Sequence, residues 1–409
     1  MHSTWAEINL DNLADNFRGI KQRIGPGVKT LVAVKANAYG HGAIPVSRRL
    51  LAEGADMLGV ATIGEVAELR EAGIKAPMLL LGCTLPEAVG PALDLEARLT
   101  VCDLEGARHV AEAARVRRRP AIVHVKVDTG MGRIGVRWTE ARECIQAMVG
   151  LEGLVIEGIF THFASADEAD KYFTYHQIVR FQEVVESLER AGVRIPLKHA
   201  ANSSAVMDIP ESYLTMVRPG LILYGLHPGE GVSQSIAIKP VLSLKTRIAF
   251  IKEIEAGETV SYGRRFMARR RSRVATLPIG YADGLSRDLS NRGQVLVGGR
   301  RVPIIGTICM DQTVIDVTDV EPPAERGPGG PQGDLTAGRP ASSLPTGRAQ
   351  GFRAAGRARL RVGDEVVVYG EQGGERILVE EVARLLHTIP YVVTCAVGRR
   401  VPRIPVPQE

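Results

Sequence analysis

From Thr30 onward the chain alternates short apolar runs with amphipathic stretches, and eight such runs can be counted: residues 31–34, 57–60, 78–81, 99–101, 122–127, 155–161, 195–199 and 215–218. Runs this short and rich in Val, Ile and Leu read as buried strands, while the intervening segments carry helical spacing and punctuation. The stretch 64–73 has acids early, a basic residue late and a closing glycine, and 170–192 places Phe173, Ile178, Phe181, Val184 and Leu188 in one stripe. Strand and helix alternating eight times predict a (β/α)8 barrel, an α/β fold whose active site gathers at the C-terminal ends of the strands. Ahead of it, residues 5–10 alternate as a lone strand, with Asp11 expected to cap a helix reaching Ile24.

After about His227 the rhythm changes to short strands joined by glycine-rich turns, at 241–250, 273–277, 294–297, 302–305, 314–317 and 365–369, with one amphipathic helix at 379–386. The expected layout is a strand at 1–10 joining the β domain, a barrel over 11–230 and a mainly β domain over 231–409. Residues 322–359 break the pattern: six prolines, eight glycines and few large apolar residues predict a disordered loop.

A total of 409 residues, 45% hydrophobic and 24% charged, suffices for two such domains. No run of eighteen apolar residues and no apolar leader is visible, so a soluble, cytoplasmic protein is expected, with no membrane partner. Five widely spaced cysteines without a C-x-x-C pair suggest reduced packing residues rather than disulfides or zinc ligands. Of the +5 formal charge, the region 321–361 holds most, with seven arginines against three acids; the remainder is too balanced for a nucleic-acid surface.

The chemistry starts at Lys35, which ends the first apolar run. Desolvation at a strand mouth disfavours the ammonium, and the neutral amine is a nucleophile able to form a Schiff base with an aldehyde such as pyridoxal phosphate. A lysine snorkelling to solvent is the bland alternative. The wording Val34-Lys35-Ala36-Asn37-Ala38-Tyr39-Gly40-His41-Gly42 resembles the pyridoxal-phosphate signature of the alanine racemase family, in which the lysine carries the cofactor. Further stretches support the resemblance from Trp5 to Arg403, apart from 322–359: Lys126-Val127-Asp128-Thr129-Gly130-Met131-Gly132-Arg133, Thr161-His162-Phe163, His199-Ala200-Ala201-Asn202-Ser203-Ser204, Val217-Arg218-Pro219-Gly220-Leu221, Ser261-Tyr262-Gly263, Gly280-Tyr281-Ala282-Asp283, Cys309-Met310-Asp311 and Pro390-Tyr391.

The resemblance implies a homodimeric racemase of L- and D-alanine that supplies peptidoglycan precursors. It implies Lys35 and Tyr262 as the two acid/bases, with Tyr262 coming from the neighbouring subunit, since racemisation needs a proton carrier on each face of Cα. For the cofactor it implies Arg133 beside the phenolic oxygen, His162 stacked on the ring and Arg218 at the ring nitrogen. The phosphate would be held by Tyr39, Ser203, Gly220, Leu221 and Tyr391, with Asn202 also among the cofactor-binding residues. At the substrate it implies Arg133, a backbone amide of Met310 offered to the carboxylate with Asp311 beside it in the same turn, and Tyr281 with Tyr391 lining and narrowing the entrance. Lys126 aligns with a lysine carbamylated in some relatives. A racemase of another small amino acid such as serine, and a non-catalytic pyridoxal-phosphate carrier, stay open; carriers lack the second domain. His124, His162 and His199 on separate strands have no H-x-H pair or carboxylate ligand beside them, so no metal is expected.

Overall fold

A computed structural model describes residues 3–320 and 360–407, and the loop expected at 322–359 lies outside the described residues. After the leading strand β1 (Thr4–Asn9), eight strands form a closed parallel ring: β2 (Lys29–Ala33), β3 (Met57–Val60), β4 (Met78–Cys83), β5 (Arg98–Val101), β6 (Ala121–Asp128), β7 (Leu154–Phe160), β8 (Leu197–His199) and β9 (Met216–Val217). Each pairs with its successor, and β9 closes onto β2 through Met216 opposite Lys29. This is the (β/α)8 barrel that the eight runs predict.

The pleat divides each strand's side chains between two environments. Val32, Leu58, Leu80 and Val125 join the large core shared with the helices, whereas Leu31, Met57, Leu79, Leu197 and Met216 make a separate small cluster within the ring. Elsewhere the interior is polar: His124 of β6 and His199 of β8 are buried, and Glu157 of β7 is partly so.

The C-terminal part is a nine-strand path with one side strand, into which β1 is stitched. β1 lies antiparallel to Leu242–Arg247 and parallel to Arg403–Val406, so the two extremes of the described chain share a sheet. The run predicted as one strand over 241–250 is two. Leu242–Arg247 pairs with β1, and Phe250–Ile254 pairs with Ser272–Leu277; apolar composition alone carries no mark of where a strand changes partners.

Helix ends follow local chemistry. The first helix, Leu10–Ile24, is capped by Asn9, whose side chain accepts from the amides of Asp11 and Asn12. Asp11, the expected cap, instead sits in the first turn and pairs with Arg49 at 2.8 Å, leaving the cap to the extended residue before Leu10. The helix Ile63–Glu71 opens on a capping box in which Thr62 and Glu65 exchange bonds with each other's backbone amides. No helix among the described residues is long and apolar enough to cross a membrane. All five cysteines are free, and Cys83 and Cys395 are exposed rather than packed.

Candidate active site

The strand β2 ends at Ala33, and Lys35 opens a segment of unusual backbone. Ala36, Asn37, Ala38 and Tyr39 all have φ 53°, one turn of left-handed helix, and Gly40 continues it at φ 86°. Side chains pay about 1–2 kcal/mol per residue for this hand. Neighbouring groups hold it. The Glu65 carboxylate accepts from the Ala36 amide at 2.6 Å and from the Ala61 amide at 2.7 Å, and Asn37 Oδ1 accepts from the Ala43 amide at 2.8 Å. Gly40 is forced: a Cβ there would lie 2.1 Å from the carbonyl oxygen of Thr394, in the helix Pro390–Cys395 of the second domain. Strain of this kind concentrates where function over-determines the backbone.

The left-handed turn leaves Lys35 half-buried at the barrel mouth, its pKa lowered first by desolvation and next by the charge of Arg133. Arg133 is exposed on the glycine-rich turn after β6, where Asp128 Oδ1 accepts from the amides of Gly130 and Gly132 at 3.0 and 3.1 Å. Beneath it Lys126 is buried, and desolvation together with the charge of Arg218 brings its pKa down to about 7. Its ammonium lies 5.2 Å from the centre of the Phe160 ring.

His162 follows β7 and Arg218 follows β9. Arg218 is buried and well partnered: it donates to the carbonyls of Thr161 and Ala200 at 2.7 and 2.8 Å, to Nδ1 of His199 at 3.1 Å and to Nδ1 of His162 at 3.3 Å. Burial lowers its pKa to about 9, which still leaves a cation at neutral pH. His162 is pushed well below its ordinary pKa by burial and by Arg218, so the ring facing the guanidinium is neutral.

After β8, Asn202 caps the short helix Ser203–Asp208 by accepting from the Ala205 amide. The Gly220 amide donates to Ser203 Oγ at 2.9 Å, and a Cβ on Gly220 would fall 2.9 Å from the Tyr39 hydroxyl. Tyr39 stacks obliquely between Tyr224 and Tyr391, with ring centres 5.1 and 5.6 Å away. Ser203, Gly220, Leu221, Tyr39 and Tyr391 thus bring hydroxyls and backbone together in a cradle that a single methyl would obstruct. Small anionic groups suit such a cradle, and with Lys35, Arg133 and Arg218 nearby the residues fit pyridoxal phosphate.

The remaining predicted residues lie apart from this cluster. Tyr262 starts a short 3-10 turn, Tyr262–Arg264, and is 72% exposed; Met310 is 52% and Tyr281 43% exposed. Among the described residues of one chain, no hydrogen bond, ring contact or charge effect links Tyr262 to Lys35. The Met310 turn is braced instead within its own domain. Arg400 clamps Asp283 at 2.7 and 3.0 Å and reaches Asp311 at 2.7 Å, while the Tyr281 and Ala282 amides donate to the carbonyls of Cys309 and Met310. Among the described residues no group of three or more His, Cys, Asp or Glu is placed to hold a metal ion.

Three contributors escaped the sequence reading. Thr62 and Glu65 form an S/T-x-x-E pattern ahead of an apolar helix, a legible capping signature. Glu157 carried no such mark, because its inward aim depends on an irregular register in β7.

Residues 8–228 match the family model described as alanine racemase, N-terminal domain, and residues 241–329 and 352–405 match alanine racemase, C-terminal domain. The chain is 45% identical over 402 residues to alanine racemase 2 of Caldanaerobacter subterraneus subsp. tengcongensis, covering 98% of this chain and 94% of that one. Its fold is similar to that of alanine racemase from Clostridium difficile 630, with a TM-score of 0.85, 37% identity and coverage of 98% and 95%. It is also similar to the Bartonella henselae alanine racemase with covalently bound pyridoxal phosphate, with a TM-score of 0.80, 26% identity and coverage of 99% and 100%.

Proposed function

The chain belongs to the alanine racemase family, isomerases that interconvert L- and D-alanine, and from that premise we propose a two-base division of labour between its two domains. The observation that carries it is the contrast between Lys35, half-buried and biased toward the free amine, and Tyr262, displayed on the surface of the other domain. An exposed tyrosine grouped with exposed Tyr281 and Met310 has the character of a surface meant to be covered. A second copy of this chain would cover it and bring Tyr262 of the partner subunit to the Lys35 site.

When bound, pyridoxal phosphate supplies an electron-withdrawing ring that makes the Cα proton of an attached amino acid acidic. The residues suited to holding it are Ser203, Gly220, Leu221, Tyr39 and Tyr391 at the phosphate, with Asn202 fixing the helix that presents Ser203. Arg133 would bind at the phenolic oxygen, and neutral His162 would lie against the ring without adding charge. Lys126, with a substantial free-amine fraction near neutral pH, is competent to react with carbon dioxide and as a carbamate would brace Arg133. Arg218 would hold the ring nitrogen as an N–H donor that cannot itself take a proton there, which would temper electron withdrawal and favour simple return of a proton to Cα. Lys35 would then move the proton on the D face and Tyr262 on the L face. The Met310 turn, with Asp311 held by Arg400, would receive the substrate carboxylate together with Arg133, and Tyr281 would line the way in.

D-alanine made this way would supply peptidoglycan precursors, and five free cysteines support a reducing, cytoplasmic setting. The test is a chiral assay on purified protein supplied with pyridoxal phosphate. Either enantiomer of alanine is expected to run to an equal mixture. An enantiomerically unchanged substrate overturns the reading.

A further inference from the structure

Behind Arg218, away from the mouth, a single file of polar side chains crosses the barrel. His199 Nε2 lies 2.8 Å from His124 Nδ1, and His124 Nε2 lies 3.0 Å from Glu157 Oε2. Arg98, at the start of β5, grips both Glu157 oxygens and lines a cleft of about 350 Å³ open at the far end of the barrel. Both histidines are buried, and burial lowers their pKa values, so each ring is neutral and carries one N–H.

That single proton makes the file directional. A carboxylate can only accept, so Nε2 of His124 must donate to Glu157 and its Nδ1 must be bare. The bare Nδ1 accepts, so His199 donates from Nε2 and leaves its own Nδ1 bare. The atom facing the 3.1 Å contact from Arg218 is therefore an acceptor. The Glu157 carboxyl is depressed to about 2 by its bonds to His124 and Arg98 against the cost of burial, which keeps the terminal acceptor charged.

The backbone is shaped for this path. Between β6 and β7 the register slips, with Val123 opposite Ile156 but His124 opposite Gly158, so that Glu157 is the extra residue of a bulge. Bulges re-aim side chains, and here the bulged residue turns toward His124. Gly158 completes the fit: a Cβ there would lie 2.4 Å from His124 Nδ1, in the space where the two imidazoles meet.

We propose that Glu157 is a positioning residue for racemisation, acting through His124 and His199 to hold the Arg218 guanidinium in the orientation that meets the cofactor ring nitrogen. The inference rests on the reading of Arg218 given above. The two histidines transmit a tautomer, and no proton needs to travel. Without the Glu157 acceptor either ring can flip its proton to Nδ1, presenting Arg218 with a donor instead of a partner.

The test is ¹⁵N NMR of the imidazoles in purified protein, read with and without cofactor, beside alanine turnover of the holoenzyme. In the wild type both His124 and His199 should show protonated Nε2 and bare Nδ1. Glu157→Leu should shift these signals and lower kcat on the order of tenfold to a hundredfold, the usual cost of losing a residue that orients a functional ligand. Glu157→Gln keeps a carbonyl toward His124 and should restore both the wild-type tautomers and most of the turnover, which a merely structural carboxylate would not predict. Gly158→Ala, striking the same junction from the next residue of the same strand, should reproduce the Leu variant and serves where that variant fails to fold. Wild-type rings protonated at Nδ1 overturn the proposal, as does unaltered kcat in a variant whose tautomers have switched. A wild type that shows the expected tautomers but racemises nothing overturns the proposal and the reading of Arg218 on which it rests, whereas Nδ1-protonated rings in an active enzyme overturn only the proposal.

Discussion

The hydroxyl of Tyr39 and the backbone of Gly220 approach so closely that a Cβ at position 220 would sit 2.9 Å from the phenolic oxygen. Gly220 has no positive φ to satisfy, so its lack of a side chain serves space rather than conformation. Gly220→Ala should leave the fold intact and displace Tyr39 from the cradle it shares with Ser203. The dissociation constant for pyridoxal phosphate, measured by equilibrium dialysis, should rise roughly tenfold, the equivalent of about 1.4 kcal/mol.

Lys35 and Tyr262 can be tested together by mixing. Lys35→Ala alone should abolish both the visible absorption of the lysine-bound cofactor and racemisation, and Tyr262→Phe alone should cripple racemisation while keeping the absorption. If each site takes one group from each chain, co-refolded mixed dimers contain one site with both groups intact. Equal mixing should then recover about a quarter of wild-type turnover by counting assemblies. No recovery from confirmed mixed dimers would confine both groups to a single chain.

Glu65 binds two unlike structures at once, the start of the helix Ile63–Glu71 and the left-handed turn after Lys35. Thr62→Ala removes only the cap and should cost about 1 kcal/mol in urea denaturation. Glu65→Ala also removes the acceptor of the exposed Ala36 amide, so a further loss of about 0.5–1.5 kcal/mol is expected, with faster hydrogen exchange at residues 36–40. Equal losses for the two variants would show that the turn does not depend on Glu65.

Acid should destabilise this protein well before its carboxylates titrate. His41 is buried, donates from Nδ1 to the carbonyls of Ala38 and Tyr39, and burial lowers its pKa to about 4. The unfolded chain takes up that proton near pH 6.5, the native state only near 4, so stability is level above this window and falls as pH drops through it. The single group accounts for roughly 3 kcal/mol across the window, at 1.36 kcal/mol per pH unit. His124, His162 and His199 are lowered in the same direction and add to the slope. In unfolding free energies measured at stepped pH, His41→Asn should reduce the slope by about one proton.

Legibility in the sequence divided along physical lines. The barrel could be read because most of the runs are buried on both faces, and continuous apolar strands announce themselves locally. Tyr262 could be placed in a turn after a strand, and the exposure of its ring follows from the same turn. The left-handed turn could not be foreseen: of Ala36, Asn37, Ala38 and Tyr39 only asparagine tolerates that hand at modest cost, and the stabilising Glu65 lies 29 positions away. Glu157 was hidden for a related reason, since a bulge is a property of two strands and neither sequence states it alone.

That distant support sets a condition on anyone who would borrow this chemistry. Grafting residues 35–42 onto the rim of a different barrel would transplant the nucleophile without its restraint, and the segment would relax into an ordinary right-handed turn that aims the amine elsewhere. A transferable module has to include Thr62, Glu65 and the helix they begin, together with a second domain whose backbone presses on Gly40.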